Sequence, residues 1–118
     1  MKKIKLFDPI IDESEKNTIK RILDSHFWAS GDGGGEVQKF EEKFTKYVNS
    51  KSCIAVNSGT AALNLALSMC NIKNKEVIIP SLSFVSTANA VIENGGIPKF
   101  VDIDENTLCL DPEKIAKA

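Results

Sequence analysis

The run "CIAVNSGTAALNLAL", Cys53 to Leu67, is apolar except for one interruption, and its period changes there. Before the break, Cys53–Val56 reads as a short buried strand. After it, apolar side chains at 62, 63, 66, 67, 69 and 70 follow the i, i+3, i+4, i+7 spacing of an amphipathic helix over about 60–70. The break itself is Asn57-Ser58-Gly59-Thr60. A strand that enters a helix through small residues leaves the first backbone N–H groups of that helix without intrahelical partners. Such a terminus suits a phosphate or another anion.

The same alternation continues downstream. "EVIIP", Glu76–Pro80, reads as the next strand. "SLSFVSTANAVIENGG" reads as the next helix, capped by Ser81 or Ser83 and ended at Gly95-Gly96. "PKFVDID", Pro98–Asp104, is the third strand. Strands alternating with helices of this length predict βαβ crossovers and a parallel sheet covered on both faces, each crossover right-handed. "DPEKIAKA" opens another helix, with Asp111 as N-cap, Pro112 at the first helical position and Glu113 in the first turn. Only about two turns follow. So short a helix needs something packed on it, and the expectation is an N-terminal piece of a longer protein.

Ahead of the alternating region, residues 12–25 predict a surface helix with Ile19, Ile22 and Leu23 on one face. "FWASGDGGGE", Phe27–Glu36, must be a loop, because glycine takes backbone angles other residues avoid. It lacks the GxxxxGK[ST] pattern and no strand precedes it, which argues against a phosphate-cradling glycine loop. Glu36–Asn49 predicts a second helix, with Val37, Phe40, Phe44, Tyr47 and Val48 at helical spacing.

Charge and composition narrow the function classes. The net charge of −1 carries no basic excess for nucleic acid and no polybasic patch for a membrane surface. No run approaches transmembrane length, and Asp8-Pro9 interrupts the opening before a signal-peptide core can form. A soluble cytoplasmic protein is the default. Cys53, Cys70 and Cys109 are odd in number and widely spaced, which gives neither a disulfide framework nor a metal site. Cys53 and Cys70 are expected as small core residues. His26, the single histidine, is expected as a packed structural residue beside Phe27 and Trp28. No cluster supplies the ligands of a zinc site.

Two helix starts could carry chemistry. At Ser58-Gly59-Thr60-Ala61, Gly59 allows close backbone approach, the N–H groups of Thr60 and Ala61 point out of the helix start, and the Thr60 hydroxyl adds a donor. The helix dipole contributes partial positive charge. From the tetrapeptide alone, N-capping by Ser58 with no ligand is the simpler alternative. At "PSLSFVSTANA", Pro80–Ala90, a second strand runs into a helix at the same carboxyl edge of the sheet, where α/β proteins place ligands. Phe84 would project there and could stack on a flat cofactor; from spacing alone, core is the better reading.

The two motifs together, in this order and separation, bring a resemblance. "SGTAAL", "EVIIPSLSFVSTANA" and "FVDIDENTLCLDP" resemble the DegT/DnrJ/EryC1/StrS family of pyridoxal-phosphate enzymes, mostly aminotransferases acting on nucleotide-linked keto sugars. The likeness runs from "FDPI" to the last helix start. The usual Gly-Asp-Glu of the family stands here as Asn74-Lys75-Glu76, at a surface turn. The resemblance implies an α/β fold: the N-terminal part of the large domain of a fold-type-I transferase, βαβαβ with preceding helices, mostly parallel and incomplete. It divides the chain into an N-terminal helix and glycine-rich loop, 1–35, and the first part of the cofactor-binding large domain, 36–118. In that fold the first strand lies at one edge of the sheet, and the second and third pair elsewhere.

Residue by residue, the resemblance implies that Thr60 and Ala61, after Gly59, bind the phosphate of pyridoxal 5'-phosphate, and that Phe84 lies against its pyridine ring. The lysine that holds the cofactor, and the acid that pairs with the pyridine nitrogen, match no residue of this chain, so no catalytic residue is named. The implied reaction exchanges a sugar ketone for an amine, with an amino acid, glutamate, as donor. The implied assembly is a homodimer whose junction lies near Ser30–Gly35. Two alternatives stay open: a dehydratase of the same family, with histidine in place of the lysine, and a non-catalytic regulatory or binding protein on the same scaffold. The Phe84 segment looks more like the aminotransferase branch.

Overall fold

The computed structural model of the chain describes residues 4–5, 7–27 and 35–118. Residues 28–34 of the expected glycine-rich loop lie outside them. The chain forms two compact units, residues 1–55 and 56–118, taken here one at a time.

The first unit contains α1 (Glu13–Asp24) and α2 (Glu36–Tyr47). Asp12 starts α1 with a capping box: its carboxylate accepts from the Ser14 N–H at 2.6 Å, and Glu15 accepts from the Asp12 N–H at 2.8 Å. The Ser14 backbone bond, ahead of the others, holds the Asp12 carboxyl below its ordinary value. α1 ends in a turn where His26 adopts φ +58° and is exposed. It lies just past the helix end and is not a buried residue, so the expectation of a packed histidine is corrected. On α2, Phe40 and Phe44 stack with ring centroids 5.6 Å apart, and Tyr47 follows at 6.4 Å. Glu36 opens α2 and accepts from Arg21 at 2.8 Å and from Lys39 at 3.1 Å, joining the two helices.

Residues 53–56 form no strand. Within the first unit the Ala55 N–H goes to the Glu41 carboxylate at 2.8 Å instead of to a neighbouring strand, and no described residue completes a ladder with this segment. The expected βαβαβ is therefore present as a single βαβ preceded by a helix.

The second unit runs α3 (Gly59–Ser68), β1 (Glu76–Pro80), α4 (Val85–Glu93), β2 (Ile97–Val101) and α5 (Pro112–Ile115). β1 takes the expected bounds to the residue, and its Val-Ile-Ile run suits a pleated, packed surface. The strands pair in parallel from Glu76↔Ile97 to Pro80↔Val101. α4 packs on α3 and on both strands. Among the described residues the buried ones are Ile79, Ala90, Val91 and Val101, all within this βαβ unit. Cys53 is half-buried and Cys70 exposed; Cys70 falls past the C-terminal end of α3, where no layer covers it, so it is not the core residue expected.

Turn chemistry fixes the ends of the unit. Asn74 takes φ +59°, a left-handed conformation that asparagine tolerates best after glycine. α4 ends in a Schellman motif: the Gly96 N–H donates to the Val91 carbonyl at 2.9 Å and the Gly95 N–H to the Ile92 carbonyl at 2.9 Å, with Gly95 at φ +76°. A Cβ on Gly96 would lie 2.9 Å from Val91 Cγ1 and 3.1 Å from Ile72 Cδ1. α5 starts as expected, with Asp111 accepting from the Glu113 N–H at 2.9 Å.

Two outcomes are expected. Gly96→Ala should destabilise the whole protein by about 1–3 kcal/mol through overpacking, and Gly95→Ala by about 1–2 kcal/mol through backbone strain. Chemical denaturation checks both, and wild-type midpoints would refute them. Separately, Arg21 first, then Lys39, lower the Glu36 carboxyl from 4.5 to about 2. A lowered folded value contributes stability above the ordinary carboxylate range, and the contribution is lost as pH falls toward about 2. The pair is solvent-exposed, so salt screens it. A side-chain NMR titration should find the low midpoint, and Arg21→Ala should raise it; an unmoved midpoint would remove the pairing.

Candidate active site

α3 and α4 begin on one cleft. It has a volume of about 680 Å³ and is lined by Gly59, Thr60, Ala62 and Leu63 on one side and by Phe84, Ser86 and Thr87 on the other. Ser58 caps α3, its Oγ accepting from the Ala61 N–H at 3.1 Å, and its carbonyl accepts from the Ala62 N–H at 3.0 Å. The N–H groups of Gly59 and Thr60 find no partner among the described residues. Ala61, expected to offer its N–H outward, has it engaged by Ser58. A Cβ built on Gly59 meets nothing within 4 Å, so no protein atom in this chain demands glycine there.

The other wall follows from how β1 hands over to α4. β1 ends at Pro80, and Ser81 and Ser83 are tied down at the strand ends. The Ser81 N–H donates to the Val101 carbonyl at 2.9 Å, and Ser81 Oγ donates to Asp102 Oδ1 at 3.0 Å. Ser83 Oγ donates to the Pro80 carbonyl at 3.2 Å. Both hydroxyls expected to cap α4 are thereby used elsewhere. Phe84 takes the N-cap position instead, with no side-chain cap; its carbonyl accepts from the Thr87 N–H at 3.0 Å. The Phe84 ring is 74% exposed, in the cleft rather than in the core.

The electrostatics favour an anion. Neither α3 nor α4 has an acidic residue in its first turn, so the positive ends of two helix dipoles are left uncompensated beside one cleft. Thr60, Ser86 and Thr87 place hydroxyl-bearing residues around it. Of the residues singled out from sequence, Gly59, Thr60 and Phe84 come together at the cleft, and Ala61 lies in the same first turn of α3. Ala62, Leu63, Ser86 and Thr87 were missed. Leu63 was legible as one helical turn from Thr60; Ser86 and Thr87 needed the position of the α4 start. Among the described residues no group of three or more His, Cys, Asp or Glu could hold a metal ion, and no helix is long and apolar enough to cross a membrane.

A parallel βαβ unit with two helix starts on one cleft at the carboxyl end of its strands is an α/β ligand-binding scaffold. Comparison with known proteins specifies it. The chain belongs to the DegT/DnrJ/EryC1/StrS aminotransferase family, whose sequence model matches residues 9–118. It is 46% identical over 111 residues to the spore coat polysaccharide biosynthesis protein SpsC of Bacillus subtilis (strain 168), covering 93% of this chain and 28% of that protein. It is 37% identical over 103 residues to the 3-oxo-glucose-6-phosphate:glutamate aminotransferase of the same organism, covering 86% and 23%. Among solved structures, a GDP-4-keto-6-deoxymannose-3-dehydratase with a trapped PLP-glutamate geminal diamine superposes with TM-score 0.85 at 31% identity, covering 98% of this chain and 31% of that one. The chain thus spans less than a third of the length of each. Its fold is the N-terminal part of the large domain of a fold-type-I transferase.

Proposed function

We propose that the whole protein is a pyridoxal-phosphate-dependent aminotransferase that converts a keto sugar, nucleotide-linked, to an amino sugar with glutamate as amino donor. The observation that carries this is the shared cleft, with Thr60 and Gly59 on one wall and Phe84 on the other. The residues fit the cofactor: a phosphate monoester suits uncompensated helix starts, and an exposed aromatic ring suits a flat pyridine. The Gly59 and Thr60 N–H groups and the Thr60 hydroxyl bind the phosphate. Ala61 contributes its N–H by sharing it with Ser58 Oγ. Phe84 stacks on the ring and shields one face from water. Bound there, pyridoxal phosphate supplies an electron-withdrawing ring that stabilises negative charge on the carbon bearing the amine.

The sugar and donor assignments draw on relatives whose names include a keto-sugar phosphate with glutamate and a GDP-linked keto sugar. The proposed organisation is an entry segment, 1–35, before the start of the large domain, 36–118, in a cytoplasmic homodimer. The dehydratase likeness sustains a second reading, a sugar dehydratase on the same cofactor. A lysine outside residues 1–118 separates the two, because only the aminotransferase needs an amine to hold the cofactor covalently and move protons.

The cofactor reading makes a sharp prediction at Gly59. Gly59→Val should leave thermal stability nearly unchanged, since its Cβ meets no protein atom. It should nevertheless weaken cofactor binding at least tenfold by absorbance titration, on the order of 1.4 kcal/mol, because the backbone can no longer approach the phosphate. Equal affinity would count against the phosphate site. Borohydride reduction of the cofactor-loaded whole protein should leave one reduced pyridoxal phosphate attached to a lysine peptide. Complete release of the cofactor after reduction would favour the dehydratase or a non-catalytic binding protein.

A further inference from the structure

Thr60 and Phe84 belong to different elements, so their separation depends on whatever registers α3 against α4. Apolar packing between two helices is non-directional and does not by itself fix how far one slides along the other. Directional bonds do, and they sit at one place. Asn94, the C-cap of α4, donates its Nδ2 to the Ala90 carbonyl at 2.8 Å and to Asn64 Oδ1 at 3.0 Å. Asn64, one helical turn beyond Thr60 on α3, donates its own Nδ2 to Glu93 Oε2. Both asparagines are half-buried. Each amide is oriented by its neighbours: Asn94 faces two acceptors, and Asn64 faces a donor on one side and a carboxylate on the other.

We propose that Asn64, with Asn94 and Glu93, is a positioning clasp that sets the distance between the two walls of the cofactor cleft. The clasp rests on the cofactor reading above. Asn64 touches none of the reacting groups; it acts through α3 and α4. The bonds it makes are polar and polarity-specific, so the clasp can be inverted without changing the net charge. Asn64→Asp loses the donor to Glu93 and sets two carboxylates against each other. Adding Glu93→Gln restores a donor on the opposite side, while the new carboxylate still accepts from Asn94.

The test uses the whole protein and pyridoxal phosphate itself as probe, read by visible absorbance and by the circular dichroism of the bound chromophore. Asn64→Asp should weaken binding about tenfold, the coupling expected within one hydrogen-bond network, and should diminish the dichroic band. Asn64→Asp with Glu93→Gln should return the affinity to within about twofold of wild type and restore the band. The dichroic band is read at saturating pyridoxal phosphate on protein that is still folded, so a loss of stability alone would not diminish it. If Asn64→Asp binds as wild type does, or if the double variant is as weak as the single, the clasp is overturned. If the wild type itself gives no spectral change with pyridoxal phosphate, the cofactor reading fails first, and the positioning role falls with it.

Discussion

The parallel pairing of β1 with β2 is the constraint on which the second unit depends. Parallel strands cannot be joined by a tight turn; they need a crossover long enough to return to the starting end. α4 is that crossover. It must therefore begin beside the carboxyl end of β1, and the residues between strand and helix must be held at the strand ends. Ser81 does this by bonding the end of β2 through both its N–H and its hydroxyl. Phe84 is left as the first residue free of the strands, at the mouth of the cleft.

The same constraint accounts for where burial stops. Parallel sheets are stable when both faces are covered. Among the described residues the buried ones are confined to the two strands and the crossover helix. Phe100 and Ile97 on β2 and Ile92 on α4 remain more than half exposed, as do the aromatic residues Phe40 and Tyr47 on α2 of the first unit. Charged contacts in the first unit, such as Arg21 with Glu36, join elements at the surface without a core between them.

What could be read from the sequence was what local chemistry decides. Ser58 and Asp111 cap helices because a short oxygen-bearing side chain is the cheapest way to satisfy the first N–H groups, whatever lies further off. Glu76–Pro80 is a strand because its apolar run is bounded by a turn and a proline. What could not be read depends on distant partners. Residues 53–56 have the composition of a strand, but a strand exists only with a neighbour to bond. Ser81 and Ser83 look like caps until β2 and the Pro80 carbonyl take their hydroxyls. The site was half legible: Gly59, Thr60 and Phe84 follow from motif and edge placement, whereas Asn64 and Asn94 lie 30 residues apart and no periodicity links them.

The short span of the β1–β2 ladder also bears on the order in which the chain can become organised. Glu76 meets Ile97 and Pro80 meets Val101, so each rung closes a loop of 21 residues. For a flexible loop that closure costs about 2.7 kcal/mol of chain entropy, and α4 reduces it by stiffening the middle. Parallel sheets are ordinarily slow to assemble because their partners are distant in sequence. This pair is nearly as local as the topology permits. It can therefore form early, before any contact between elements more distant in sequence.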